Sequence, residues 1–298
     1  MEIVSLFDGI ACGREALERA SIPVDAYHAF EIDPYAIQVS RKNWPDIIHM
    51  GDVTTADFTQ YRGFDLLMGG SPCQSLSIVQ SKTRQNLDGK SKLFFEYVRA
   101  KEEMNPQWFL FENVASMNAE SKAIISELLG CEPVFIDSAD FSAQSRPRLY
   151  WTNIPLGPRP APAVQVLEDI LQPADEVPDR YWYNCEFTPS PSSGPVCGVL
   201  GINGHDIIKR VNSPAHKCQT LTTCGGGNTQ KKVLQNGRPR KLTPLEYERL
   251  QTLPDNYTAG ISDTRRYTAI GNGWTVDVIA WILSQIPREE EEVEAWML

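Results

Sequence analysis

Short apolar segments recur along the first half of the chain, and this recurrence constrains the fold more than any other feature of the sequence. They lie at residues 3–7, 27–31, 47–50, 64–68, 108–111, 134–136 and 149–151. Helical patterns separate several of them, and one begins at Asp33-Pro34, an N-cap followed by a first-turn proline. Alternating strands and helices favour an α/β fold with a mostly parallel, seven-stranded sheet, in which ligands bind at the carboxyl ends of the strands.

Glycine and acidic residues follow the first three segments. Asp8-Gly9 follows the first, Glu31 ends the second, and Gly51-Asp52 follows the third. A glycine after a strand lets the backbone approach a ligand, and a carboxylate at the second strand end can bind ribose hydroxyls. A carboxylate at the third strand end can accept a hydrogen bond from a purine amine. Because no phosphate-binding lysine motif accompanies them, these strand ends predict a nucleoside pocket and disfavour ATP and dinucleotides.

The fourth segment leads into Gly69-Gly70-Ser71-Pro72-Cys73 and so delivers a cysteine at a strand end. Glycines followed by a proline-fixed cysteine can present a nucleophile at the edge of a parallel sheet, although a loop cysteine without a role gives the same pattern. The seven cysteines are spread along the chain without a C-x-x-C pair. They indicate reduced thiols, and we expect neither a disulfide framework nor a metal site.

The fifth segment runs into Glu112-Asn113, so a carboxylate and an amide are placed beside the strand that carries Cys73. A carboxylate at the end of an apolar strand is partly desolvated and suits acid–base work. Arg146 and Arg148 stand just before the seventh segment, where strand alternation directs both guanidinium groups to one side. Such a pair suits a base carbonyl or a phosphate, and surface salt bridges are the alternative interpretation.

The composition changes after residue 152. Residues 153–240 are rich in Pro, Gly, Ser, Thr and Asn. We expect them to form a small, loop-rich second domain beside a main domain of residues 1–152 and 241–298. The net charge is −10, yet eight basic residues and a single acidic residue lie between Gly201 and Lys241. A basic segment on an acidic body suits a polyanion bound on one side, although solvated basic loops are an alternative.

Six motifs, in order along the chain, resemble those of the DNA (cytosine-5)-methyltransferase family. They are Phe7-Asp8-Gly9-Ile10-Ala11-Cys12-Gly13, Gly70-Ser71-Pro72-Cys73-Gln74, Phe111-Glu112-Asn113-Val114, Gln144-x-Arg146-x-Arg148, Arg240-x-Leu242-Thr243-Pro244-x-Glu246 with Gln251, and Gly271-Asn272-Gly273-Trp274. Ala11-Cys12 stands where many members have a second glycine, and Gly273-Trp274 differs from the commoner Asn-Ala/Ser-Val pattern. Both variants resemble the animal de novo DNA methyltransferases.

The resemblance implies a Rossmann-like, S-adenosylmethionine-dependent methyltransferase fold with residues 153–240 as a target-recognition domain. It also implies transfer of a methyl group from S-adenosylmethionine to C5 of a cytosine flipped out of duplex DNA. Cys73 would add to C6 of the ring, Glu112 would bind N3 and the amino group, and Arg148 would bind O2. Asn113 and Arg146 would position these groups, and Gln74 completes the catalytic set.

The resemblance implies two further sets of contacts. The expected cofactor contacts are Phe7, Asp8, Gly9, Ile10, Glu31, Ile32, Asp52, Val53, Ser71, Pro72, Leu93, Asn272 and Trp274. The expected DNA contacts belong to a polar lid at residues 75–92 and to the basic segment, and they are Ser75, Ser77, Lys82, Arg84, Lys209, Arg210, Thr222, Thr223, Gly225, Gly226, Lys231 and Arg240.

Three alternatives stay open. A tRNA cytosine-C5 methyltransferase would use the same chemistry, a catalytically silent DNA-binding homologue would keep the fold, and a thiol hydrolase would need a histidine base near Cys73. We expect no contact with a membrane, because no apolar run reaches the length of a span. We further expect a monomer or weakly self-associating protein in the cytoplasm of a bacterial, archaeal or phage-infected cell, near the nucleoid. Its role would be in restriction–modification or that of an orphan or phage enzyme.

Replacing Cys73 with alanine should reduce methyl transfer to background, because the ring would lose the thiolate that activates C5. Transfer is measured with a labelled cofactor and duplex DNA. On DNA with 5-fluorocytosine at the target, the unaltered protein should form an adduct that survives denaturation and the variant should form none. Transfer by the variant at the unaltered rate would contradict the assignment of the nucleophile.

Overall fold

The computed structural model describes residues 1–71, 92–191, 193–225 and 227–287. Strands and helices alternate in the first part of the chain: β1 Glu2–Leu6, α1 Cys12–Arg19, β2 Ala26–Phe30, α2 Pro34–Asn43, β3 Ile48–His49, β4 Leu66–Gly69, α3 Lys92–Met104, β5 Trp108–Val114, α4 Ala119–Leu129, β6 Val134–Asp137, β7 Gln144–Ser145 and β8 Pro147–Thr152. Short strands dominate the next part: β9 Phe187–Pro189, β10 Val196–Leu200, α5 Asp206–Lys209, β11 Arg210–Asn212, β12 Cys218–Gln219, β13 Lys232–Gln235 and β14 Arg238–Lys241. Three helices follow: α6 Pro244–Leu250, α7 Asp263–Asn272 and α8 Val276–Leu283.

Seven strands form the main sheet in the order β3-β2-β1-β4-β5-β8-β6. Neighbouring strands run parallel except where β8 pairs with β5 and with β6. The predicted α/β fold with a mostly parallel seven-stranded sheet is therefore confirmed. Strand β5 runs on to Val114, beyond its apolar segment, because Glu112 and Asn113 pair with Tyr150 and Leu149 of β8. This pairing holds the two polar residues in regular strand geometry at the edge where ligands are expected.

Side chains that alternate along the central strands divide the core into two layers. On β4, Leu66 and Met68 belong to one layer and Leu67 belongs to the other. Residues of α1, α2, α6, α7 and α8 complete the first layer, and residues of α3 and α4 complete the second. Both faces of the sheet are thus covered, as is typical of parallel sheets, and the strand ends are left as the place for a site.

A second sheet contains five strands in the order β14-β13-β11-β10-β9. A short parallel ladder links this part of the chain to the first, because β12 pairs with β7 through Cys218–Gln144 and Gln219–Ser145. The division into residues 1–152 with 241–298 and residues 153–240 stays a prediction. Among the described residues, no helix combines the length and the apolar character that crossing a membrane requires.

Arg240, expected to contact DNA, is fully buried at the end of the second sheet. Its guanidinium donates to both oxygens of Glu246, which is also fully buried, at 2.7 and 2.5 Å. Glu246 further accepts from the backbone N–H groups of Thr243 and Gln172, so the pair is well satisfied. A buried, paired arginine cannot reach a phosphate, and its contacts instead join β14 to the start of α6. The structure therefore disfavours the DNA contact expected of Arg240.

Replacing Arg240 with methionine should lower the free energy of unfolding by about 3–5 kcal/mol, because Glu246 would keep an uncompensated buried charge. Urea denaturation measures the change. The matched control is Arg180→Met, because Arg180 pairs with Asp263 while its side chain is 66% exposed. That exposed pair should contribute about 1 kcal/mol or less. Equal losses in the two variants would show that the buried pair does not stabilise the junction.

Candidate active site

The candidate site lies where the main strands end, but part of it is outside the described residues. The expected catalytic and cofactor residues that fall there are Pro72, Cys73 and Gln74, and the expected DNA contacts that fall there are Ser75, Ser77, Lys82, Arg84 and Gly226. Ser71, the last described residue before Cys73, is buried. The site is therefore built from the residues that surround the end of β4.

Glu112 lies near the end of β5 with its carboxylate held from two sides. Arg148 Nε lies 2.7 Å from Oε1 of Glu112, and the two side chains are only 12% and 13% exposed. The indole Nε1 of Trp274 donates to Oε2 at 3.2 Å. Hydrogen bonds to both oxygens hold the carboxylate in one orientation. The structure thus joins two expected catalytic residues to one expected cofactor residue.

Arg146 braces the backbone around this carboxylate. The buried guanidinium donates to the carbonyl oxygens of Leu221 at 2.9 Å, and of Gly271 and Gly273 at 3.0 Å each. Burial, with the nearby charge of Arg148, lowers the pKa of Arg146 to about 10. These three hydrogen bonds to carbonyl groups agree with the positioning role expected of Arg146.

Asn113 ties β5 to the end of β4. Its side-chain Nδ2 donates to the carbonyl of Ser71 at 3.4 Å, and its Oδ1 accepts from Val114 N–H at 2.8 Å. This contact lies two residues before Cys73. Asn113 therefore fixes the point from which the expected nucleophile segment departs.

Left-handed backbone conformations mark the loop between β1 and α1. Phe7, Gly9 and Ala11 have φ angles of 58°, 60° and 63°, in the left-handed region. Ala11 occupies this region at the position where many family members have glycine, and glycine adopts it without steric cost. Glu31 stabilises the loop, because its Oε2 accepts from Gly9 N–H at 2.9 Å. The expected ribose ligand therefore also holds the loop that would face the cofactor.

Asp8 is surrounded by two residues that the sequence did not single out. Ser5 and Tyr27 both donate to Oδ1 of Asp8 at 2.6 Å, while Oδ2 is buried without a hydrogen-bond partner. Burial is the main cause that raises the pKa of Asp8 from 3.8 to about 6. Ser5 could have been noticed as a polar residue inside an apolar strand, whereas Tyr27 looks like an ordinary core aromatic.

The remaining groups at the first three strand ends fit a nucleoside cofactor. Asp52 accepts at Oδ1 from the N–H and hydroxyl of Thr54, which lowers its pKa and leaves the exposed Oδ2 for an amine. Ile32, 71% exposed, offers an apolar surface for a purine ring. A Cβ at Gly9 would meet nothing within 4 Å, so a ligand can come close to the backbone there. Among the other expected cofactor contacts, Val53 and Ile10 are buried and Leu93 is half-buried, whereas Asn272 at the end of α7 is exposed.

Four expected DNA contacts are brought together. Arg210, Thr222, Thr223 and Lys231 line a single cavity of about 180 Å³. This cavity adjoins the catalytic residues, because Arg146 binds the carbonyl of Leu221 and the backbone of Thr222 packs on Gly271. Of the other expected DNA contacts, Gly225 follows Thr223 by two residues and is exposed, and Lys209 in α5 is half-buried.

The stability of the protein should depend on pH through Asp8. Because its pKa is raised by folding, the unfolded chain releases this proton first, and stability falls as pH rises from about 4 to above 6. Relative to Asp8→Asn, the unaltered protein should lose on the order of 2 kcal/mol between these pH values. Urea denaturation at each pH measures the difference. Asp52→Asn is the control of opposite sign, because the lowered pKa of Asp52 stabilises the fold above its unfolded pKa. A pH-independent difference for Asp8→Asn would contradict the prediction.

Comparison with known proteins identifies the family of this chain. The model of the family described as C-5 cytosine-specific DNA methylase matches residues 1–155 and 194–288. The Type II methyltransferase M.NlaX of Neisseria lactamica is 28% identical over 308 residues, covering 96% of each chain. The Type II methyltransferase M1.ScrFI of Lactococcus lactis subsp. cremoris is 27% identical over 305 residues, covering 93% of this chain and 76% of the relative.

A solved structure shares the fold. The S. pombe Dnmt2 methyltransferase aligns with a TM-score of 0.68 at 18% identity, over 95% of this chain and 97% of that chain. At this identity the likeness concerns the fold alone. Since the family model covers most of the chain, this protein belongs to the C-5 cytosine-specific DNA methylase family and is a DNA (cytosine-5)-methyltransferase.

Proposed function

We propose that the protein transfers a methyl group from S-adenosylmethionine to C5 of a cytosine flipped out of duplex DNA, through a covalent bond between Cys73 and C6. The observation that carries this proposal is the pairing of Glu112 with Arg148 at 2.7 Å, beside the strand that leads to Cys73. A carboxylate and a guanidinium at one place match the amino, N3 and O2 groups of a cytosine edge.

The proposed chemistry begins with Cys73. C5 of cytosine is a poor nucleophile, but addition of the Cys73 thiolate to C6 forms a carbon–sulfur bond and moves an electron pair towards C5. S-adenosylmethionine, when bound, supplies an electrophilic methyl group to that carbon. Loss of the C5 proton to water then lets the pair return, the carbon–sulfur bond breaks, and the thiolate is regenerated.

Glu112 and Arg148 would stabilise the ring while Cys73 is attached. Addition at C6 places negative charge on the ring, and hydrogen bonds at N3, the amino group and O2 offset that charge. Because both residues are largely buried, their electrostatic contribution is greater than it would be in water. Neither could reach a stacked base, so the target would leave the helix at a cost of a few kcal/mol.

The residues proposed to hold S-adenosylmethionine are those at the first three strand ends. Glu31 would accept from ribose hydroxyls and Asp52 from the adenine amine, next to the exposed Ile32. Asp8 and Gly9 would line the loop that faces the remainder of the cofactor. The set contains hydroxyl and amine acceptors, as a nucleoside without phosphates requires.

Residues 153–240 are proposed to recognise the DNA. The cavity lined by Arg210, Thr222, Thr223 and Lys231 offers cations for phosphates and hydroxyls for bases. The protein is further proposed to act in the cytoplasm of a bacterial, archaeal or phage-infected cell. There it would be monomeric or weakly self-associating. The exposed Arg210 of the basic segment would then meet the DNA backbone.

The test measures transfer of labelled methyl groups to duplex DNA, with tRNA as the parallel substrate. We expect transfer to duplex DNA, and a fall of about 10²–10³ in rate for Glu112→Gln, because one stabilising group would be lost. Glu127→Gln, at an exposed position of α4, is the matched control and should leave the rate unchanged. Transfer to tRNA alone would contradict duplex DNA as the substrate. An unchanged rate for Glu112→Gln would contradict the proposed role of Glu112.

A further inference from the structure

We propose that Trp274 is a positioning residue for methyl transfer, whose indole N–H holds the Glu112 carboxylate in the orientation that receives the target cytosine. The inference rests on the proposed function, in which Glu112 binds the base. The resemblance to the family implies a cofactor contact for Trp274, whereas the structure gives its indole nitrogen a protein partner, Oε2 of Glu112 at 3.2 Å.

Both oxygens of Glu112 carry a donor. Arg148 Nε binds Oε1, and Trp274 Nε1 binds Oε2 from the other side. A carboxylate with a single donor can rotate about its terminal bond, which is a broad, soft torsion. Two donors on different oxygens remove that freedom before the base arrives, and preorganisation of this kind lowers the cost of reaching the transition state.

The end of β4 leaves room for this contact. A Cβ at Gly70 would lie 2.9 Å from Glu112 Oε2, closer than Cβ atoms normally approach, and a tight 3.2 Å from Trp274 Nε1. Gly70 is three residues before Cys73. The carboxylate, the indole and the backbone leading to the nucleophile therefore meet at one point, and a side chain at residue 70 would displace one of them.

The backbone of Trp274 is fixed from both sides. The carbonyl of Gly273 accepts from Arg146 Nη2 at 3.0 Å and from Gln251 Nε2 at 2.9 Å. The hydroxyl of Thr275 donates to Gln251 Oε1 at 2.7 Å. Because the residues before and after it are both held by buried side chains, the indole is carried by rigid backbone.

The two departures from the common family motifs are in contact here. A Cβ at Gly273 would lie 3.0 Å from Cys12 Sγ, so any larger residue at 273 would press on the cysteine. Cys12 is itself buried in the loop after β1. The presence of Cys12 thus explains the glycine at 273, and together they bring the backbone of Trp274 close to the cofactor loop.

The proposed role and a cofactor contact give different kinetics. A residue that only binds cofactor raises the KM for S-adenosylmethionine and leaves kcat unchanged once the cofactor saturates. A residue that acts through Glu112 lowers the rate of transfer at saturation. Its effect also disappears when Glu112 can no longer act, which a double-mutant cycle detects.

The experiment compares Trp274→Phe with Trp281→Phe, in single-turnover transfer at saturating cofactor and in binding of S-adenosylhomocysteine. Trp281 is half-buried in α8 and packs on Phe141, with ring centroids 5.8 Å apart. We expect Trp274→Phe to lower the transfer rate about tenfold or more, as loss of a hydrogen bond to a charged group does. Binding of S-adenosylhomocysteine should change by about threefold or less, and Trp281→Phe should change neither quantity.

The double-mutant cycle combines Glu112→Gln with Trp274→Phe and compares the transfer rates of the single and double variants. In the Glu112→Gln background, Trp274→Phe should lower the rate by about twofold or less, because the group it positions is already impaired. If Trp274→Phe is unstable, replacement of Trp274 by 3-benzothienylalanine keeps the ring shape, removes the N–H donor and should give the same tenfold loss.

The failures of the two proposals are distinguishable. If the unaltered protein transfers methyl groups and Glu112→Gln is impaired, a full transfer rate in both Trp274 variants overturns the positioning role alone. A loss that persists in full in the Glu112→Gln background also overturns it. An unaltered protein that transfers nothing to duplex DNA, or a fully active Glu112→Gln, overturns the proposed function instead.

Discussion

The buried guanidinium of Arg146 holds together segments that are far apart in the chain. One group binds carbonyl oxygens on the loop after β12 and at the end of α7, and it lies close to Arg148 and Glu112. Burying this cation is costly, and the hydrogen bonds to three carbonyl oxygens offset part of that cost. The geometry of the candidate site therefore depends on contacts between segments that are distant in sequence.

Much of the fold was open to prediction because its signals are local. Short apolar segments identified the strands of the main sheet, and the cap at Asp33 marked the start of α2, where its side chain accepts from Tyr35 and Ala36 N–H. Polar residues at the strand ends then indicated a site, since parallel strands bring their carboxyl ends together. These inferences need no knowledge of distant partners.

The rest depends on contacts that no local pattern contains. The hydrogen bond from Trp274 to Glu112 spans 162 positions of sequence. Arg240 looked like a phosphate ligand because it belongs to a basic segment, yet its partner Glu246 takes it into the core. Tyr27 is an ordinary core aromatic in sequence, and only the packing of β2 beside β1 brings its hydroxyl to Asp8. A residue type sets what a side chain can do, but tertiary packing decides which partner it meets.

Arg146 reaches the loop after β12 through the carbonyl oxygen of Leu221, a group that every amino acid carries. This hydrogen bond between Arg146 and the proposed recognition loop therefore does not depend on which side chains the loop carries. Residues such as Thr222 and Thr223, which are exposed beside it, can be exchanged while the carbonyl stays in position. Substitutions on this loop can therefore change the target preference while the hydrogen bond to Arg146 stays in place.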